Sequence, residues 1–174
     1  AKSKALFDTG SPSYFAISPP DLAGARQANR IGKTISGFGS PGASLGGQAP
    51  NGDQLQAELK TLSIGGLALG RVGAVRRASS PSLIGAAMLE HFVVTFDSRS
   101  GDAYFAKYAD GPFARPSFGF TLAFDNQISV ALVWDDSPAH AAGLRPGLHL
   151  TSINGAPTEF SREGIRRAIE SMEG

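Results

Sequence analysis

The chain of 174 residues can form one large domain or two small ones, and its 41% hydrophobic and 18% charged residues are typical of a folded globular protein rather than a disordered one. Its 16 basic and 15 acidic residues leave a formal charge of +1, without a basic stripe interleaved with aromatic residues, so we expect no nucleic-acid partner. The lack of cysteine excludes disulfides, thiolate catalysis and zinc–thiolate sites.

Apolar runs in this sequence are short. None approaches the roughly 20 residues that a membrane-spanning helix needs, so we expect no membrane span. Residues 1–4 lead directly into a short apolar run, and we expect no signal peptide. The three histidines, His91, His140 and His149, have no spacing typical of metal ligands. We therefore expect neither a metal nor another cofactor.

Short apolar segments separated by glycine predict a β-rich first half. Strands are predicted at residues 5–7, 55–64, 67–75 and 92–96, and Gly65-Gly66 is suited to a tight hairpin between the second and third. Residues 35–52 are rich in glycine, serine, proline and alanine and form either a mobile surface loop or a strand-loop-strand flap. A short helix is predicted at residues 83–91, with Ser82 as its N-cap.

Turn residues near position 110 separate this half from a segment with a different sequence pattern. We therefore predict domains at residues 1–110 and 111–174. Strands are predicted at residues 120–124, 128–134 and 148–153, and a short helix at residues 137–143. The final helix is predicted to begin near Ser161. Its apolar residues at positions 165, 168, 169 and 172 fall on one face.

The triplet Asp8-Thr9-Gly10, followed by Ser11, directly follows the apolar run at residues 5–7. An aspartate at this point is presented where a buried strand enters a turn. Gly10 permits close backbone approach, and the hydroxyl groups of Thr9 and Ser11 can hydrogen-bond around the carboxylate. The alternative interpretation is an Asx-turn that closes a strand, which is common.

The run ALFDTGS at residues 5–11 resembles the catalytic loop of retropepsin-like and pepsin-like aspartic proteases. The resemblance extends over residues 1–107 and includes a glycine-rich stretch at the place of the family's flap. It also includes the run LIGAAMLEHF at residues 83–92, which leads into VVTFD like the family's Ile-Gly, short helix and terminal strand. Two motifs in the family's order, more than seventy residues apart, are more specific than either one.

This resemblance implies peptide hydrolysis by two aspartates that share a proton. The chain has one Asp-Thr-Gly, and Asp97 and Asp102 lack that setting, so Asp8 is expected to need a partner from another lobe or a second copy. Only seven residues precede Asp8, so the family's N-terminal hairpin is expected to be missing. Phe38 is the candidate flap residue; a loop residue packed on the lobe is an equally good interpretation of it.

The second domain resembles bacterial PDZ domains that are attached to proteases. Its motifs are SFGF at residues 117–120, SPAHAAGLRPG at residues 137–147 and INGAP at residues 153–157. The resemblance implies that a peptide binds beside the loop and strand of Phe118, Gly119, Phe120, Thr121 and Leu122. The groove is completed by a final-helix face whose predicted contacts are Ile165 and Ile169.

Together these patterns predict a mainly β protein, with a retropepsin-like, closed β-barrel-like lobe followed by a small α+β PDZ-like domain without its last strand. The resemblance implies an aspartic endopeptidase that is inactive unless a second catalytic aspartate is supplied. Its expected partners are polypeptide substrates or C-terminal peptides, and a second lobe or homodimer mate. Family analogy favours the periplasm or cell envelope of a bacterium. The alternative is a non-catalytic peptide-binding or scaffold protein with an unpaired protease-like lobe.

Overall fold

The structure is a computed structural model that describes residues 3–44, 47–114 and 116–173. Strands account for 42% of the chain and helices for 17%, so the prediction of a mainly β fold is confirmed. The elements fall into two compact units. The first comprises residues 1–34 and 55–115, and the second residues 35–54 and 116–174.

The elements of the first half, in chain order, are β1 (Ala5–Asp8), β2 (Phe15–Ile17), α1 (Pro19–Gln27), β3 (Ile31–Gly39), β4 (Ala43–Ser44), β5 (Gly47–Gln48), β6 (Gly52–Leu59), β7 (Ser63–Ile64) and β8 (Leu67–Ala68). They are followed by β9 (Val72–Arg76), β10 (Ser82–Gly85), a 3-10 helix (Ala86–Glu90), β11 (Phe92–Asp97) and β12 (Asp102–Lys107). The remaining elements are β13 (Phe120–Phe124), β14 (Ile128–Trp134), α2 (Pro138–Ala141), β15 (Ser152–Ile153), β16 (Ala156–Pro157) and α3 (Arg162–Glu173).

The sheet of the first unit has the strand order β1-β10-β2-β9-β6. Strand β10 is parallel to β1 and antiparallel to β2. Since β1 and β2 are consecutive in the chain but flank β10, residues 9–14 must cross the carboxyl end of β10. This crossing is the feature of the fold that positions Asp8.

The core of the first unit contains Met88, Phe92 and Val72, all nearly inaccessible to solvent. A buried polar network lies beside it. The Ser82 hydroxyl accepts a hydrogen bond from the Ser18 amide at 2.9 Å and donates one to Asp21 at 2.5 Å. Ser82 is thereby tied to the start of α1 and does not cap a helix.

The helix predicted at residues 83–91 is therefore wrong in its first part, where the chain forms β10 and the helix is confined to residues 86–90. The physical reason is tertiary. Leu83 and Ile84 pair with β1 on one side and β2 on the other, so their backbone groups are used in the sheet. The predicted strand at residues 92–96 is present as β11, paired with β12, which the sequence analysis did not predict.

Two predicted strands of the first unit are shorter in the structure. The segment predicted at 55–64 is divided into β6 and β7, and the one at 67–75 into β8 and β9. Between them, Gly65 and Gly66 adopt φ values of 57° and 90° and form the predicted hairpin. Strand β2 and helix α1 were not predicted, because residues 15–27 show no clear period.

The second unit contains a three-stranded sheet in the order β3-β14-β13, to which β3 contributes its second half. Strands β13 and β14 have the predicted bounds, and α2 lies within the predicted segment with Ser137 as its N-cap. In the described part of the segment 35–52, Gly37, Phe38 and Gly39 of β3 pair with β14, and β4 pairs with β5. The strand predicted at 148–153 is confined to β15, and His149 makes a single bridge to Ser129.

The compact units and the predicted domains divide the chain near the same place, but the structure groups residues 35–54 with the second unit. Phe113 belongs to the first unit, because it is buried in that core and its carbonyl accepts from the Gly73 amide at 2.8 Å. None of the helices in the described part of the chain is long and apolar enough to cross a bilayer.

Candidate functional site

Asp8 is the last residue of β1 and lies opposite Gly85, the last residue of β10. Its side chain is partly exposed. The Gly10 amide donates to Asp8 Oδ1 at 2.9 Å, and the Ser11 amide donates to the Asp8 carbonyl at 3.2 Å. The carboxylate is therefore oriented by the backbone of its own loop, through its oxygen Oδ1.

Two further hydrogen bonds fix the loop on the end of β10. The Ala86 amide donates to the Ser11 carbonyl at 2.7 Å, and the Gly85 amide donates to the Tyr14 carbonyl at 3.1 Å. The loop passes so close that a Cβ on Gly85 would lie 2.0 Å from the Ser13 carbonyl oxygen and 2.7 Å from that of Ser11. Only glycine leaves room for this path.

The hydroxyl groups around Asp8 are arranged differently from the expectation. The Ser11 hydroxyl lies 3.0 Å from the Ser13 hydroxyl, so it bonds to another side chain of the loop rather than to the carboxylate. Thr9 and Gly10 are exposed. A Cβ on Gly10 would lie 3.2 Å from Asp8 Oδ1, a tight contact that explains why a glycine suits this position.

Strand β1 is held against the lobe by an aromatic cluster. The Phe7 ring lies 5.4 Å from the Phe96 ring and 6.0 Å from the Phe105 ring, between centroids. Leu6, on the opposite face of the strand, is 58% exposed. Burial of Phe7 thus fixes the strand one residue before Asp8, as the alternation of side chains along a strand requires.

Other aspartates of the first unit are engaged away from Asp8. Asp21 is bonded to Ser82, at the opposite end of β10 from Gly85. These two ends are three residues apart, which is about 10 Å at a rise of 3.3 Å per residue. Asp97 accepts from two amides of its own turn, and the pKa of its carboxyl is lowered by these bonds, that of Arg99 most. Asp110 forms an ion pair with Lys107, and the pKa of Asp110 is lowered by this contact.

A polar cluster that joins the buried side chains of Tyr14 and His91 to the exposed Glu90 was not predicted from sequence. The Tyr14 hydroxyl lies 2.8 Å from Glu90 Oε2 and 3.3 Å from His91 Nε2. Because a phenol has one hydrogen, which it donates to the carboxylate, the imidazole must donate from Nε2. Phe113 packs on the His91 ring at 4.7 Å. This cluster supports Tyr14, whose carbonyl holds the loop, and no sequence spacing indicates it because its members are 76 and 77 residues apart.

The predicted carboxylate-binding loop lies at the start of β13. Gly119 has φ 91°, and a Cβ on it would lie 2.0 Å from Ser137 Cβ, so this position also requires glycine. The carbonyl of Phe118 accepts from the Ala139 amide at 3.2 Å, and the carbonyl of Gly119 accepts from the Trp134 amide at 2.8 Å. The N-terminus of α2 and the end of β14 therefore hold the loop by its carbonyl groups.

The orientation of the amides follows from this. In a planar trans peptide the C=O and N–H groups point in opposite directions. The N–H of Phe120 shares a peptide unit with the Gly119 carbonyl, which points to β14, so this N–H points to the other side of β13. Because β13 is the last strand of its sheet, that side is an edge. Thr121 and Leu122 continue along it, and Thr121 is exposed.

Helix α3 has two different faces. Gly164 and Ala168 are buried and border a cavity of about 360 Å³ beside the β15–β16 hairpin. Ile165 is partly buried and Ile169 is 38% exposed, about 100° around the helix from that face. The helix begins as predicted, since the Ser161 hydroxyl accepts from the Gly164 amide at 3.0 Å. The side chain of Met172 is outside the described residues.

Phe38, the flap candidate, lies on β3 opposite Val133 and is 51% exposed. It belongs to the second unit, whereas Asp8 belongs to the first, so its role as a flap residue stays a prediction. Within residues 3–44, 47–114 and 116–173, no group of three or more histidine, aspartate or glutamate side chains could hold a metal ion.

Comparisons of this chain with protein-family models, with curated proteins and with solved structures found no match. The functional assignment therefore depends on the geometry of the two sites.

Proposed function

We propose that the first unit is the lobe of an aspartic endopeptidase, with Asp8 as one of two catalytic carboxylates, and that the second unit binds polypeptides. The observation that carries the first part is the crossing loop. It presents a partly exposed carboxylate at the end of β1, a partly exposed edge strand that is parallel to β10. Gly85 leaves room for the loop, and four hydrogen bonds donated by backbone amides hold it.

The proposed reaction needs a second carboxylate close to Asp8. Two neighbouring carboxylates cannot easily both ionise, so they share a proton. One then accepts a proton from a water molecule that attacks the peptide carbonyl, and the other donates a proton to the carbonyl oxygen. The carboxyl group that took the proton from water then gives it to the amine nitrogen as the C–N bond breaks. A hydroxyl group of the intermediate returns a proton to the other carboxylate, which restores the shared proton and releases the acid and the amine. Orientation by the Gly10 amide keeps the Asp8 carboxylate in one position throughout.

We propose that the second aspartate comes from another lobe or from a second copy of the chain. In support, Asp21, Asp97 and Asp110 are each bonded elsewhere in the described part of the first unit, and Asp102 lies opposite Asp97. Two copies would contribute two equivalent Asp8 side chains. A lobe in another polypeptide would contribute a different aspartate.

The role proposed for the second unit is peptide binding by strand addition. The edge of β13 presents main-chain groups, as at the Phe120 amide, and the apolar residues Phe120, Leu122 and Phe124 of this strand are partly exposed. An extended peptide can pair with such an edge, and apolar pockets beside it select alternate side chains. Substrates would thereby be retained near the protease lobe.

The test is cleavage of a fluorogenic peptide library at acidic pH by the protein and by Asp8→Asn. Loss of the carboxylate removes the acid–base group, and we expect the rate to fall by about 10²–10⁴-fold. Asp102→Asn, in the β11–β12 turn, is the matched control and should retain activity. Pepstatin should inhibit the unsubstituted protein. Equal cleavage by Asp8→Asn would overturn the proposal.

The source of the second aspartate is tested by mixing. If two copies form the site, activity per chain rises with concentration, and an equal mixture with Asp8→Asn leaves about one quarter of the dimers fully active. Activity that appears only when a second polypeptide is added, whatever the concentration of this chain, assigns the partner to another lobe. Peptide binding without cleavage at any concentration favours the second candidate function, a non-catalytic peptide-binding protein, for which the single Asp-Thr-Gly of the chain is the supporting observation.

A further inference from the structure

The Ser117 hydroxyl accepts a hydrogen bond from a backbone amide of the loop before β13. The Gly119 amide donates to Ser117 Oγ at 3.0 Å, although Ser117 itself is exposed to solvent. The Gly119 amide shares a peptide unit with the Phe118 carbonyl, which the Ala139 amide holds on the α2 side. This amide therefore points away from α2, toward the position occupied by the hydroxyl.

A peptide carboxylate that binds to this loop would need the amides of Gly119 and Phe120, which follow each other at the start of the strand. Backbone amides form stronger hydrogen bonds with a carboxylate than with a neutral acceptor. Of these two amides, that of Gly119 already donates to the Ser117 hydroxyl. A C-terminal carboxylate must displace the Ser117 hydroxyl to use both amides, whereas an extended segment that pairs further along β13 need not.

We propose that Ser117 determines the specificity of the peptide-binding edge by satisfying the Gly119 amide, so that the module takes extended internal segments about as well as free C-termini. This inference rests on the peptide-binding function proposed for the second unit. It identifies the ligand class as an extended polypeptide segment of a substrate, whether or not that segment ends in a free carboxylate.

The experiment uses the full chain and a library of decapeptides with apolar C-terminal residues, each synthesised as the free acid and as the C-terminal amide. Binding is measured by fluorescence anisotropy. For the unsubstituted protein we expect acid and amide forms to bind within about threefold of each other. Ser117→Ala removes the acceptor of the Gly119 backbone N–H, which then becomes available to a ligand. We expect the peptide acids to bind about 10-fold more tightly, and the affinity of the peptide amides to be unchanged. Ser152→Ala, on β15 and also exposed, is the matched control.

The possible results separate the two proposals. A preference of 10-fold or more for the acid form in the unsubstituted protein, or an unchanged ratio in Ser117→Ala, overturns the role of Ser117 while peptide binding stands. Absence of binding by every variant overturns the peptide-binding function, and the role of Ser117 with it. Amide exchange of Gly119 gives an independent check, because it should become faster in Ser117→Ala if the hydroxyl is its acceptor.

Discussion

Replacement of Gly85 by alanine tests whether the crossing loop is held by close packing on β10. The new Cβ would begin 2.0 Å from the Ser13 carbonyl oxygen, and ordinary contact begins at 3.4 Å, so the loop must move by about 1.4 Å. The neighbouring atom is backbone, so it cannot rotate away as the end of a flexible side chain could. Overpacking of this kind destabilises by about 1–3 kcal/mol.

The measurement is hydrogen exchange of the amides of residues 85 and 86, which donate to the carbonyls of Tyr14 and Ser11. A loss of about 1–3 kcal/mol speeds exchange through opening by about 5- to 150-fold. If Asp8 is catalytic, a displacement near 1 Å should also lower the rate of peptide cleavage by on the order of 100-fold.

Gly24→Ala is the matched control, because Gly24 lies in α1 with no atom within 4 Å of the added Cβ. We expect it to stabilise the chain by about 0.4–1 kcal/mol, since alanine favours the helix. If Gly85→Ala left exchange and stability at the level of Gly24→Ala, the loop would not be packed on β10 as the structure has it.

Two further predictions concern polar contacts of the first unit. Ser82→Ala leaves the buried Ser18 amide without its acceptor and removes one of two hydroxyl donors to the Asp21 carboxylate, the other being Ser18. We therefore expect a loss of about 1–3 kcal/mol, measured from exchange of the β9 amides in urea, whereas Ser63→Ala on exposed β7 should change little. The amides of its turn lower the pKa of the Asp97 carboxyl below the ordinary value of 3.8. The ionised carboxylate therefore stabilises the folded chain above the pKa of the unfolded state, and this contribution is lost as the pH falls through the lower pKa of the folded state. An NMR titration of the Asp97 carboxyl should have its midpoint below 3.8, and a midpoint at or above this value would contradict the bonded turn.

Some parts of the candidate sites follow from local sequence. An apolar run followed by Asp-Thr-Gly predicts a carboxylate at a strand end, and Asp8 lies there. The bounds of β13 and β14 follow from two short apolar runs on both sides of a turn. In each case the residues that decide the conformation are close neighbours in the chain.

Other parts depend on residues distant in the chain. The Ser13 carbonyl fixes the requirement for glycine at position 85, which no local pattern contains. The pairing of Leu83 and Ile84 with strands on both sides converted a predicted helix into β10. The position of Ser117 against the Gly119 amide is a contact of near neighbours, but it depends on anchoring of the loop by α2 and β14.

The sequence by itself determined a mainly β chain with glycine-rich turns, a carboxylate at the end of its first strand and an amphipathic final helix, because alternation, turn residues and capping act over a few residues. Only the tertiary structure decided which strands are neighbours. It placed β10 between β1 and β2, assigned residues 35–54 to the second unit and buried Tyr14 with His91. The reason is physical: long-range pairing is selected by burial and by satisfaction of backbone hydrogen bonds across the whole fold, and neither is encoded in a short stretch of chain.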